Sequence, residues 1–423
     1  MTDTYPSAQT AQRTSKFQAN ISRLWVSLDR IQRGWVVLAV ARLILALLFI
    51  LDILPLDMRF GWYLHHGGDQ EYAFSLAQSL IRGAPEVSVV GLGQPLVMIP
   101  WIILLKAHYY LDIVIPLVLI NGFLLGCLSV LLVGSVARRI TGDDQVGLWS
   151  AAVWAFLPLL TYYGFFWHFD PVILRSSYVP VVGWLNGLAD GPSIFWVLLA
   201  ILLLARPLDK AEPPSLWRMA GVGAACGVGV VFRVHVAPMV AILLVYIMVV
   251  HGWRALVAAC VAGLTAYLPQ AVYNQSMLGL PISTGYIWPG NIFEQFGGVE
   301  QSLDYVLHNL PFSPARLIEL WNYTIGRRGW LIAPLGLVLL VSVYAVVTLW
   351  RRRGWRAVAL LFGPPAAYLG LMAMSWPFRL DMVRFSMPAY PYVIIACIYA
   401  VWSLGKLLQR HRQYPPSLPQ NES

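Results

Sequence analysis

Long apolar segments recur along almost the whole chain, and each has about the length that a helix needs to cross roughly 30 Å of hydrocarbon. Only 12% of the 423 residues are charged and 58% are hydrophobic, which leaves little material for a soluble domain. We predict an all-α polytopic membrane protein with about ten transmembrane helices. The predicted spans are 35–54, 112–137, 146–166, 192–206, 218–233, 236–250, 255–272, 330–350, 357–374 and 388–405.

The chain is expected to form a single domain with short polar tails. Residues 1–20 are rich in Ser, Thr and Gln and have no apolar face, which is typical of a disordered tail. An interfacial helix is predicted from Ile21, and the integral-membrane domain covers residues 21–405. Residues 406–423 form a second tail. The four cysteines lie in apolar runs without disulfide or zinc spacing.

Charge is distributed unevenly between the two sides of the predicted bundle. Most of the 29 basic residues fall in the tails and in the connections on one side, which the positive-inside rule makes cytoplasmic. The other side carries the longer connections, 55–111, 167–191 and 274–329, and that side holds most of the carboxylates. We therefore expect an integral protein of the cell inner or plasma membrane, with both termini in the cytoplasm and the active site at the extracytoplasmic face. No nucleic-acid partner is expected.

The polar stretch Arg59–Gly83 follows the first span. After two glycines, apolar residues recur at intervals of three and four until Gly83 and Pro85, which predicts a short amphipathic helix on the membrane surface. Asp69 and Glu71 lie at its N-terminal end. They are interpreted either as charges that complement the helix dipole or as a catalytic base at the interface.

The next apolar segment, Gln94–Lys106, is too short and too interrupted by prolines to be predicted as a transmembrane span. It is predicted to be re-entrant or to lie on the surface.

Arginines on the extracytoplasmic side are candidates to hold a phosphate, because a guanidinium can contact two oxygens at once. Arg327 and Arg328 could alternatively bind lipid headgroups, and Arg379 and Arg384 could pair with Asp381. Arg233 lies at a predicted helix break, where the alternative is an interhelical ion pair.

A divalent-metal site is a less favoured alternative. His65, His66 and Asp69 are the main candidate ligands, with Glu71 and residues of the second long connection as further ones. Adjacent histidines do not readily converge on one ion, so no metal or other cofactor is predicted.

Several features in chain order match a loose pattern: an acidic residue, a tyrosine, a helix with small residues, a glycine, and a Pro-Leu pair that opens a surface segment. They are Asp69, Tyr72, Ala77, Gly83, Pro95 and Leu96. This pattern resembles the GT-C superfamily of integral-membrane glycosyltransferases, which includes protein O-mannosyltransferases, aminoarabinose transferases and oligosaccharyltransferases. The family motif is often Asp-Glu, whereas here Gln70 separates the two carboxylates, and we favour Asp69 as the base.

The resemblance extends to FFWHFDPVILR in the second long connection, to LPQAVYNQSMLGLPISTGYIWPGN, and to PFRLDMVRFSMPAYPY before the last helix. It implies a GT-C-like fold with Tyr72, His168, Asp170 and Arg175 as substrate-binding residues. Asp170 precedes a proline and is alternatively a turn residue.

The resemblance implies transfer of a sugar from a polyprenyl-phosphate-linked donor to a protein, lipid or glycan acceptor. Such an enzyme needs a lipid-open groove, a base for the acceptor hydroxyl and cations for the phosphate. Membrane lipids are the other expected partners. The alternatives are a transporter or flippase of a lipid-linked or small anionic substrate, and a non-enzymatic scaffold.

Overall fold

The computed structural model describes residues 28–51, 53, 69–88, 90–161, 184, 188–208, 215–282, 318, 322, 332–373 and 386–413, and every regular element in this part of the chain is helical. The helices are α1 Arg30–Ile50, α2 Asp69–Ile81, α3 Gly93–Leu105, α4 Tyr110–Thr141, α5 Asp144–Thr161, α6 Asp190–Ala205, α7 Leu216–Phe232, α8 Ala237–His251, α9 Trp253–Leu278, α10 Ile332–Arg353, α11 Trp355–Ala373 and α12 Tyr390–Gln413. Helix α4 is compound, because Val118–Leu125 within it is π-helical.

Each of the ten predicted spans corresponds to one helix, α1 or one of α4–α12. Six helices in the described part of the chain are long and apolar enough to cross a membrane. They are Arg30–Leu48, Tyr110–Thr141, Val234–His251, Trp253–Leu278, Trp355–Ala373 and Met387–Gln409. The predicted helical class is confirmed for the described residues, which hold six candidate membrane-spanning helices, whereas the count of about ten spans is not confirmed.

Helix α1 begins five residues before the predicted start of the first span at Trp35. Asp29 and Gln32 form a capping box, in which each backbone N–H donates to the other side chain at 3.0 and 2.7 Å. The helix therefore begins at Arg30 and continues through Trp35 into the span. At the other terminus, α12 continues beyond residue 405 to Gln413.

Helices α7 and α9 pack backbone against backbone. A Cβ atom at Gly223 would overlap the carbonyl of Ala259, and one at Gly227 would overlap the carbonyl of Gly263. Small residues four apart on both helices allow this approach, as in other helix pairs in membranes.

One end of the bundle is rich in paired charges. Arg138 of α4 contacts Asp29 at 3.1 Å and Asp144 at 2.5 Å, and Lys406 of α12 contacts Asp143 at 2.6 Å. These pairs join the start of α1, the α4–α5 turn and the last turns of α12. We call this end of the bundle the basic end. The other end, where α1 ends and α6 begins, is called the opposite end.

Helix α2 packs at the opposite end. Phe74 and Ala77 on its buried face join an apolar cluster with Leu45 of α1, Met98 of α3 and Leu117 of α4. The ring of Phe74 also meets that of Tyr110 edge-on, at 6.4 Å between centroids. The apolar spacing of α2 thus fixes it against three neighbouring helices.

Candidate functional site

The short amphipathic helix predicted after the two glycines is present as α2, with Asp69 and Glu71 in its first turn. It ends where Gly83 adopts a left-handed backbone with φ 71°, a conformation that favours glycine. Asp69 is partly buried and Glu71 is exposed. Both carboxylates lie where the helix N-terminus favours negative charge, and Glu71 is open to a solute outside the bundle.

Tyr72, a predicted substrate-binding residue, lies next to Glu71 within α2 and is 56% exposed. The structure therefore brings Tyr72, Asp69 and Glu71 together on one helical turn. An exposed aromatic ring beside carboxylates suits contact with a sugar face and its hydroxyls.

The connector between α2 and α3, residues 82–92, is anchored to α9; residue 89 lies outside the described residues. The Tyr273 hydroxyl accepts a hydrogen bond from the Ser88 N–H at 3.0 Å and donates to the Glu86 carbonyl at 2.6 Å. The Leu92 N–H donates to Gln270 Oε1 at 2.7 Å. The segment that follows α2 is therefore hydrogen-bonded to α9, a helix that is remote in sequence.

The connector also packs directly on the end of α7. A Cβ atom at Gly91 would overlap the carbonyl of Val231, and one at Gly93 would lie 2.7 Å from the Phe232 Cα. Glycine is required at both positions by this close approach.

Helix α3 has 13 residues, fewer than the number needed to cross the hydrocarbon. Gln94, Met98 and Ile102 are buried, whereas Ile103 and Leu104 are exposed. This short helix at the opposite end is consistent with the predicted surface-lying or re-entrant segment.

Arg233 lies at the predicted break between α7 and a short 3-10 turn, Val234–Val236, with extended φ and ψ angles. Its guanidinium forms an ion pair with Asp190, the first residue of α6, and the two side chains are 8% and 1% exposed. The interhelical ion pair is therefore present, and a phosphate at Arg233 would have to share that guanidinium with Asp190.

The other predicted residues lie outside the described residues. They are His65, His66, His168, Asp170, Arg175, Arg327, Arg328, Arg379 and Arg384. Among the residues that the structure does describe, no group of three or more His, Cys, Asp or Glu side chains is arranged to hold a metal ion.

Several buried polar residues of the bundle were not singled out by the sequence. Gln270, Tyr273 and Asn274 follow one another at helical spacing within LPQAVYNQ, so that spacing was the available signal for a shared polar face. Gln94 and Asn121 are fully buried, and neither amide group has a hydrogen-bond partner within the described structure. Asn121 lies in the π-helical part of α4, a geometry that is frequent at functional sites.

Comparison with known proteins gives a result at the level of fold. No protein-family model and no curated protein sequence matches this chain. The oligosaccharyltransferase of Archaeoglobus fulgidus is similar in structure in its complex with zinc and sulfate, with a TM-score of 0.54 and 16% identity over 88% of this chain and 50% of that one. Its apo form gives a TM-score of 0.52 and 13% identity over 92% and 52% of the two chains.

The same archaeal enzyme, AglB, in complex with an inhibitory peptide and a dolichol-phosphate gives a TM-score of 0.54 and 15% identity over 93% of this chain and 53% of that chain. The present chain spans about half the length of the structures it matches. The chain is therefore similar in fold to solved oligosaccharyltransferases, one of the groups that the resemblance in the sequence included.

Proposed function

We propose that the protein is a glycosyltransferase that moves a sugar from a polyprenyl-phosphate-linked donor to an acceptor at the extracytoplasmic face of the membrane. Asp69 acts as the general base and Glu71 supports it. The observation that carries the proposal is the position of both carboxylates in the first turn of a short amphipathic helix, which is fixed to the opposite end of a GT-C-type bundle.

The proposed reaction requires little beyond position and charge. The acceptor hydroxyl loses its proton to Asp69 as its oxygen bonds to the sugar carbon, while the bond from that carbon to the phosphate oxygen breaks. The phosphate leaves on the lipid and needs cations. AglB was solved with a dolichol-phosphate, a polyprenyl phosphate, which supports a donor of this class.

Arginines are proposed to bind the donor phosphate, and a second set of residues is proposed to bind the sugar or the acceptor. Arg379 and Arg384 are the first choice for the phosphate, with Arg327, Arg328 and Arg233 as further candidates. Tyr72 is proposed to contact the sugar or acceptor, together with His168, Asp170 and Arg175. Because basic residues favour the cytoplasm, the opposite end would be outside, where soluble nucleotide sugars are absent.

The proposal is tested by sugar transfer in membranes that contain the protein and labelled polyprenyl-phosphate sugars. Asp69→Asn should lower the rate by about 10² to 10⁴, the usual cost of losing a general base. Glu86→Gln is the matched control, because this exposed carboxylate lies on the connector and only its backbone bonds Tyr273. Normal transfer by Asp69→Asn with an inactive Glu71→Gln would move the base to Glu71, and activity in both would refute the assignment.

One observation favours the alternative of a transporter or flippase: the path from α7 to α8 is broken at a buried ion pair, and broken helices often form transport sites. In sealed vesicles, movement of a labelled lipid-linked sugar across the bilayer without transfer to any acceptor would support this alternative over the enzyme.

A further inference from the structure

Helix α9 carries a row of polar side chains on one face, near the opposite end of the bundle. Gln270 lies three residues after Tyr267, and Tyr273 and Asn274 lie three and four residues after Gln270; the last three are buried. Pro269 lies within this stretch and lacks an N–H, so the helix is weakened where the row begins. In a helix with an apolar exposed face, buried polar groups of this kind require partners.

Tyr273 is linked to α2 in two ways. Its ring belongs to an apolar cluster with Leu76 of α2, Leu92 and Val231. Its hydroxyl bonds the connector at Glu86 and Ser88, as described above. One residue of α9 therefore shares an apolar cluster with α2 and is hydrogen-bonded to the segment that follows α2.

The hydrogen bonds continue from the connector into α2. The Glu86 N–H donates to Ser79 Oγ at 3.3 Å, and the Ser79 hydroxyl donates to the carbonyl of Leu76 at 2.8 Å. Ser79 lies on the buried face of α2, ten residues after Asp69. The chain of contacts from Tyr273 thus ends in the helix that carries the proposed base.

A second branch of the network starts at Gln270. Its Oε1 accepts from the Leu92 N–H, and its Nε2 donates to Asn274 Oδ1 at 2.8 Å. Asn274 Nδ2 donates in turn to the carbonyl of Pro281 at 3.1 Å, beyond the end of α9. The connector and the start of the third long connection are consequently held by the same face of α9.

We propose that Tyr273 is a positioning residue for Asp69, and that it sets the place of α2 by fixing the connector to α9. This inference rests on the proposed function, since it assigns Asp69 the role of base. A base displaced by about 1 Å from its acceptor loses up to about a hundredfold in rate, even when the displacing change is remote from the chemistry. Tyr273 makes no contribution of its own to the proton transfer.

The first measurement is amide hydrogen exchange and does not depend on any activity. Tyr273→Phe keeps the ring and removes both hydrogen bonds, so exchange in peptides that cover residues 84–92 should become about fivefold faster. Tyr399→Phe is the matched control, because the Tyr399 hydroxyl on α12 is buried and has no hydrogen-bond partner in the described part of the chain. Unchanged exchange in Tyr273→Phe would overturn the proposal.

The second measurement separates turnover from donor binding. Tyr273→Phe should lower kcat for sugar transfer by about tenfold to a hundredfold and leave the donor KM near the wild-type value, whereas a general loss of folded protein leaves the kcat of the remaining folded fraction unchanged. Faster exchange with normal kcat would overturn the positioning role. Gln270→Met removes the other anchor and should act in the same direction, which keeps the test available if Tyr273→Phe does not fold.

Failure of the proposed function gives a different result. If wild-type protein transfers no sugar from any polyprenyl-phosphate donor, the positioning role is refuted with the function. The exchange measurement then still decides whether Tyr273 fixes the connector.

Discussion

Buried charges in this protein are satisfied by partners on other helices. Arg42, in the middle of α1, donates from Nη1 to the carbonyl of Ala155 at 3.0 Å. Ala155 lies in the turn of α5 that precedes Pro158. A partner 113 residues away depends on how the helices pack, and no local pattern specifies it.

The ion pair of Arg233 and Asp190 gives the first prediction on stability. Removal of one partner leaves a buried charge unpaired, so Asp190→Asn and Arg233→Gln should each destabilise the protein by about 3 to 5 kcal/mol. The double variant should recover much of that loss, because no lone charge remains. Thermal unfolding in detergent measures all three variants, and losses that simply add would show that the pair is not energetically coupled.

The pKa of Asp143 gives a prediction on pH. Burial raises this pKa, but hydrogen bonds from Lys406, Trp402 and the Gln145 N–H lower it more, and the pKa falls below its ordinary value of 3.8. A depressed carboxyl pKa stabilises the fold above the unfolded-state value, and this stabilisation is lost as the pH falls through the folded-state value. Asp143→Asn should therefore unfold at a lower temperature than wild type at pH 7, by about 2 °C, and the difference should shrink below pH 4. An equal difference at both pH values would contradict this.

At the scale of elements, helix α2 was predictable and its attachment was not. The apolar spacing, the two carboxylates and the Gly83 stop are local signals, and the structure places each as expected. The anchor at Tyr273 joins residues 185 positions apart, which no local pattern specifies. Likewise, Gly91 and Gly93 were not recognised as contact residues, because the need for glycine arises only once α7 is beside them.

The close contact of α7 and α9 can be tested with two neighbouring glycines. Gly223→Ala forces a methyl group into the backbone of Ala259 and should destabilise the protein by about 3 kcal/mol or more. Gly221→Ala is the matched control, since its nearest neighbour is a Leu203 methyl at 3.6 Å and alanine favours the helix. Unfolding temperature and folded yield in detergent report both variants. Equal stability of the two would mean that α7 and α9 separate easily.

At the scale of the molecule, the sequence predicted the helical class and the positions of ten helices because apolar length is a strong signal. It placed the start of the first span at Trp35, whereas the structure starts α1 at Arg30, where the capping box of Asp29 and Gln32 begins the helix. The partner of Arg233 and the inner polar residues Gln94 and Asn121 were not predicted, because each depends on contacts between distant helices.

Orientation is the prediction that concerns the whole molecule. The positive-inside rule places the basic end in the cytoplasm and the connector outside. Single cysteines are introduced into a variant without the four native cysteines, at Ala84 on the connector and at Arg351 near the end of α10, both of which are exposed. Ser88 is unsuitable, because it is buried and its backbone N–H bonds Tyr273.

In intact cells, a membrane-impermeant maleimide should label Ala84→Cys, and Arg351→Cys should react only after permeabilisation. Both positions are exposed and lie outside the apolar centres of the helices, so the side of the membrane on which each cysteine lies determines whether the reagent reaches it. The reverse pattern would place Asp69 in the cytoplasm. There, soluble nucleotide sugars are present, and the argument that the sugar must arrive on a lipid phosphate would lose its basis even if Asp69 were still the base.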